Sequence, residues 1–156
     1  MSECTRLADQ IRRAFDGEAW HGDALVEVLS NVSASQAAAR PIANAHSIWE
    51  IVLHIGAWDG AVLRRTGGAA VNLSDAENFP AIPDTSEAAW KKAVANVRQI
   101  HAELVKAVAA FPDARLGERV PGKDQAYYDF FYMFAGIAQH ETYHTGQIVL
   151  LKKMKL

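Results

Sequence analysis

Three histidines have the types and spacing for metal chemistry: His54 inside one helical hydrophobic pattern, and His140 with His144 inside another. Positions i and i+4 of an α-helix differ in direction by only about 40°, so His140 and His144 leave their helix from one face. Two imidazoles from one helix and a third from a facing helix would hold a divalent cation through nitrogen and leave coordination positions open. An open position separates an ion that binds water or substrate from one that only ties a fold together. A lone histidine on an apolar face is more often a hydrogen-bonded core residue, and His101 reads that way. Two core histidines one turn apart would need two separate buried partners, so a shared ion is the simpler reading.

His140-Glu141-Thr142-Tyr143-His144 also has the H-E-x-x-H form in which zinc proteases place two ligands and a general base. Those enzymes take their third ligand further along the chain. Residues 145–156 contain no His, Asp or Glu, so a protease of that kind fits poorly. Glu141 and Glu50 are candidate catalytic bases. Glu141 could equally face solvent, and Glu50, one turn before His54, also ends the capping box Ser47-Ile48-Trp49-Glu50, a role slightly favoured. Tyr132, Gly136, His140, His144 and Gln147 share one stripe of the last helix, and Trp58 stands one turn after His54. Tyr132, Gly136, Gln147 and Trp58 are therefore the candidate substrate pocket. At Gly136 the missing side chain makes room either for a ligand or for close helix packing. Tyr143 could donate a phenol or pack as core, while His21 and His46 fall at helix starts, where capping or surface roles are the default.

Long helices must position these residues. Leu7, Ile11, Ala14 and Phe15 mark a first one, from about Ser2 to Phe15. Asp23 to Leu29 continues it as a kinked segment, and Ser33 to Gln36 suggests a short capped turn closed by Arg40-Pro41. Ser47 opens the His54 helix, which runs to about Arg65 and stops at Gly67-Gly68. A loop from Gly67 to Pro83 follows, and Asp84 to Glu87 caps a third long helix with the stripe Trp90, Val94, Val97, His101, Leu104, Val105 and Val108. Phe111-Pro112 closes it. After a loop with its turn at Pro121-Gly122, the last helix is predicted from about Asp124 to Lys153. No segment alternates as a strand would. The expected fold is all-α: a four-helix bundle with a crossover connection and short additional turns, in one domain over residues 1–156.

Composition narrows the partners. The formal charge is −2 at pH 7, without the basic stripe of a nucleic-acid binder. Cys4 is the single cysteine, so no intrachain disulfide can form, and it reads as an inert residue in the first turn. Apolar runs are broken well short of a membrane span, and no signal-peptide pattern is present, so a cytoplasmic protein is expected.

The runs AHSIWEIVLHIGAWDGAVLRR and IAQHETYHTGQIVLLKK, with AWHG and VPGKDQAYY between the helices, resemble the DinB/YfiT-like metalloenzyme family. The resemblance extends over most of the chain. One His on the second bundle helix and H-x-x-x-H on the fourth define that family, and they map onto His54, His140 and His144. The resemblance implies an up-and-down-type bundle with an unusual crossover, often dimeric, holding a divalent metal such as zinc or nickel, with iron or manganese as alternatives. It also implies relatives that transfer low-molecular-weight thiols or isomerise thiol adducts.

The leading expectation is a metal-dependent enzyme on a small molecule, a thiol S-transferase or a hydrolase, with a low-molecular-weight thiol as cosubstrate in the first case. Arg64 and Arg65 are candidate anchors for a thiol's carboxylates, or simply solvated. A non-catalytic bundle that binds metal or a ligand in a stress response is the alternative, and a DNA role is disfavoured by the acidic balance. The first helix and the terminal LLKKMKL allow a homodimer.

Overall fold

Serine hydroxyls start most of the helices, each turned back to accept a backbone N–H that the first turn leaves free. In this computed structural model, which describes residues 1–154, Ser2 caps α1 (Glu3–Asp16). Ser33 caps the short α3 (Ala34–Ala38) and Ser47 caps α4 (Ile48–Thr66). Ser74 caps α5 (Asp75–Asn78) and Ser86 caps α6 (Glu87–Ala109). Asp129 does the same for α7 (Phe130–Lys153), and α2 (Leu25–Leu29) completes the set with a 3-10 turn at Asp113–Arg115. The Asp113 carboxylate accepts from the N–H groups of Glu3 at 2.8 Å and Cys4 at 2.9 Å, a second anionic cap on α1. Burial, with Asp113 alongside, pushes the Cys4 thiol up to about 12, so it stays protonated.

The chain is all-helical, as expected, with three differences of detail. The last helix begins at Phe130, not near Asp124. The N–H groups of Val120, Phe130 and Phe131 donate instead to the carbonyls of Tyr128, Glu118 and Leu116, which holds residues 116–131 as a folded loop. The cap of α6 is Ser86, while Asp84 folds onto the Ser86 N–H and Glu87 accepts nothing from its own helix start; its carboxylate accepts from Ala34 N–H at the start of α3. The loop after α4 contains α5, whose Ser74–Glu77 capping box the sequence reading passed over.

α1 packs on α6 and α7, and α4 packs on the same two, so the long helices form a ring with α1 diagonal to α4. Two apolar clusters fill it. One holds Phe15, Ile55, Val97 and Ile148; the other holds Ala8, Val62, Leu104 and Ile137. Their order along each helix shows that α4 and α6 run the same way, against α1 and α7. Consecutive parallel helices need a return path, and residues 67–86 supply it as the crossover. That segment runs back beside α4, with Val71 at Arg65, then Asn78 at Trp58 and His54. Gly56 permits the close approach of α4 and α6, because a Cβ there would sit 2.7 Å from a Val97 methyl. Among the described residues no helix is long and apolar enough to cross a membrane. Of the LLKKMKL segment, Lys155 and Leu156 lie outside the described residues.

Candidate metal centre

His54 faces α7 from the second turn of α4, and the i, i+4 spacing brings His140 and His144 to meet it. The Nε2 atoms of His54 and His140 lie 3.0 Å apart, and the ring centroid of His144 is 4.7 Å from His54 and 4.5 Å from His140. One ligand nitrogen from each ring falls within 4.8 Å of the others. Two zinc-bound nitrogens, each about 2.0–2.1 Å from the ion, can adopt the His54–His140 spacing.

The outer nitrogens settle the chemistry of the inner ones. His54 Nδ1–H donates to the Asn78 carbonyl at 3.0 Å, and His144 Nδ1–H donates to Gln147 Oε1 at 2.6 Å. A proton fixed on Nδ1 leaves Nε2 with its lone pair, which is what a metal requires. Burial holds all three rings below the ordinary histidine range, with neighbouring imidazoles adding to it at His140, which is pushed down to about 3. The rings are therefore neutral at pH 7, and the donor set fits a divalent cation.

A pocket of about 430 Å³ opens over the three imidazoles, and its wall includes Trp58, Tyr128, Tyr132, Gly136, Ile137 and Tyr143. No Asp or Glu lines it. A Cβ built at Gly136 would meet nothing within 4 Å, so the glycine leaves pocket space and does not mediate helix packing. Of the residues singled out by sequence, the structure brings His54, His140, His144, Trp58, Tyr132 and Gly136 together. Gln147 is spent on His144, behind the site rather than in the pocket. Glu50 closes the Ser47 capping box and pairs with Arg40. Glu141 points away, because one residue along a helix is a rotation of about 100°.

A family model described as DinB superfamily matches residues 19–148, a span that contains all three histidines. The chain belongs to the DinB superfamily. No curated protein and no solved structure matches it.

This DinB-superfamily chain carries a second cluster that sequence reading did not assemble. Glu141 and Asp59 are fully buried, and His101 between them is 1 % exposed. His101 Nδ1 donates to Asp59 Oδ2 at 3.1 Å and lies 3.1 Å from Glu141 Oε1, while Phe15 stacks on the ring at 3.8 Å. Burial pushes both carboxyls above their ordinary range. Burial opposes charge on His101 as well, but the two carboxylates outweigh it and push the imidazole up to about 9. The three groups share their protons and titrate as one unit.

Sequence reading also missed three residues that support the candidate metal site. Asn78 accepts from His54 through its carbonyl and from Trp58 Nε1–H through its side chain at 2.9 Å. Phe79 stacks between His46 and His54. Tyr128 enters the pocket from the loop before α7. The Ser74–Glu77 capping box was the one local signal of the short helix that ends at Asn78.

Proposed function

We propose that this protein is a divalent-metal-dependent enzyme acting on a small molecule, with zinc or nickel as the ion and thiol S-transfer as the reaction class. The observation that carries the reading is the pair of outer-nitrogen hydrogen bonds that leave Nε2 lone pairs converging at the floor of an open pocket. A cation on three neutral ligands keeps its full charge and supplies Lewis acidity, acidifying a water or thiol that it binds.

What the chain's own residues do favours a thiol over a hydrolytic nucleophile. A thiol has an ordinary pKa of about 8.5 and needs little further help to ionise at neutral pH, whereas water, at about 15.7, depends on the ion far more and gains from a base beside it. The pocket offers no carboxylate. Its hydroxyl groups belong to Tyr128, Tyr132 and Tyr143, which can orient a polar group of the substrate or donate to an oxyanion. Trp58, Ile137 and Met133 supply the apolar wall that excludes water.

Elemental analysis of the untagged protein beside His140→Ala tests the reading. About one divalent ion per chain, lost in the variant, is expected, followed by turnover when thiols are screened with electrophiles. Wild-type protein that takes up no ion after incubation with zinc, nickel, iron or manganese would remove the proposal.

A further inference from the structure

Arg65 is the largest fully buried side chain, 1 % exposed, and among the described residues no carboxylate lies within 4.0 Å of it. Its Nε and Nη2 donate to the Val71 carbonyl at 3.0 and 2.7 Å, and its Nη1 donates to the Tyr128 hydroxyl at 3.3 Å. The guanidinium carbon sits 5.5 Å from the Trp58 ring centroid. Carbonyls and a ring face soften the cost of burying this charge, but nothing neutralises it. Trp58 and Tyr128 are both pocket walls, so a full positive charge stands directly behind the pocket lining.

A second cation reinforces it. Lys123 Nζ lies 5.3 Å from the Tyr128 ring centroid and donates to Asn72 Oδ1, a neutral partner. Burial and then the proximity of Arg65 hold Lys123 below the ordinary lysine range, so the two charges feel each other. The Tyr128 hydroxyl accepts from Arg65, which leaves its own hydrogen to donate, and with no acidic residue in the lining the natural acceptor is an anion.

We infer that the pocket selects a small, largely apolar molecule bearing a carboxylate, held by the Tyr128 hydroxyl with Arg65 and Lys123 supplying the charge behind it. The inference rests on the reading of this cavity as the substrate pocket, and it names the substrate's class. A carboxylate suits the site better than a phosphate, because one hydroxyl in an aromatic wall cannot satisfy the many acceptors of a phosphoryl group. Arg65, which touches no pocket space, is a positioning residue.

Benzoate and its neutral analogue benzamide are the probes, titrated into the full-length metal-loaded protein by calorimetry. Benzoate is expected to bind more tightly by about tenfold, the usual scale of one charge-assisted hydrogen bond. Tyr128→Phe should abolish that preference, weakening benzoate far more than benzamide, and Lys123→Gln should reduce it several-fold. Lys123→Gln leaves the bonds of the guanidinium intact, whereas Tyr128→Phe removes the acceptor of Nη1 but keeps both bonds to the Val71 carbonyl; circular dichroism checks the fold of each variant. Equal binding of the two probes, no detectable benzoate binding, or a preference that survives Tyr128→Phe would each overturn the inference. His140→Ala separates this result from the metal proposal. A benzoate preference kept there places the anion at Tyr128, and one lost there places it on the metal and overturns the inference. An absent metal with an intact preference would instead sink only the proposed enzyme.

Discussion

His140 and Glu141 are neighbours on α7, yet they serve two clusters built from similar side chains to opposite ends. At the candidate metal centre, each of two imidazoles gives its outer N–H to an amide oxygen, from Asn78 or Gln147, and turns a lone pair inward. In the interior cluster, His101 turns its N–H inward to carboxylates, and its outer Nε2 has no hydrogen-bond partner. One arrangement makes neutral rings that want a cation. The other makes a ring that holds a proton as its own cation. At His54 and His144 the far nitrogen tells more than the count of ligand-type residues, since both groups bring three such residues within 4.8 Å; His140 Nδ1, buried without a partner like His101 Nε2, belongs to a ring in a pocket that no carboxylate lines. Position follows the same division. Asp59, His101 and Glu141 each fall between the residues that their helices give to the two apolar clusters, so this group joins the halves of the core. The metal centre opens to a pocket instead.

The largest expected effect separates the two clusters outright. His144→Ala should weaken zinc binding by well beyond the roughly 10–100-fold that loss of an outer partner costs, while the helical circular dichroism signal stays. Asp59→Ala should do the reverse. Removing one partner strands the others inside the core at a cost of about 3–5 kcal/mol in urea unfolding, with metal stoichiometry kept in the chains that remain folded. Replacing the interior group together, as Asp59→Leu, His101→Phe and Glu141→Leu, should recover most of that stability. A triple variant that folds but loses its ion would break the comparison, because the interior cluster would then be part of the metal site.

Much of this was legible along the chain, and the parts that were not share a cause. Helical periodicity marked α1, α4 and α6 to within a residue or two, the Ser47 capping box marked the start of α4, and i, i+4 spacing joined His140 to His144. The start of α7 was misplaced because Val120, Phe130 and Phe131 give their N–H groups to carbonyls across the folded loop, which no local pattern announces. Asp59, His101 and Glu141 come together only through the layer order of three helices. Glu141 read as a candidate base because adjacency in sequence resembles adjacency in space, and helical rotation undoes that resemblance. Arg65 could not be told from a solvated arginine until the crossover laid the Val71 carbonyl against it.

Raising the pH should sharpen the contrast next. His101 is held above its ordinary value, so the stability it contributes is complete below about pH 6.5 and is lost as the pH rises through about 9. Asp59 and Glu141, also shifted upward, favour protons in the folded state and act with the same sign. Thermal unfolding followed from pH 7 to 10 should show a falling midpoint in the wild type and a much flatter one in the apolar triple variant. Parallel curves would mean that the interior cluster does not hold the proton assigned to it.

The smallest effect probes the outer bond that distinguishes the two kinds of histidine. Gln147→Leu keeps the bulk of the side chain but removes the oxygen that accepts from His144 Nδ1–H. The ring can then place its proton on Nε2 and lose the lone pair, at no cost to the helix, since Gln147 is only half-buried on α7. Metal affinity should fall by about 10–100-fold, with unfolding midpoints of the metal-free protein unchanged. Gln147→Glu should restore the bond and bind at least as tightly as the wild type, because a carboxylate is a stronger acceptor for the same N–H. If both variants bind zinc as the wild type does, the tautomer of His144 is set by something other than Gln147, and the outer nitrogens lose their standing as the mark of the metal centre.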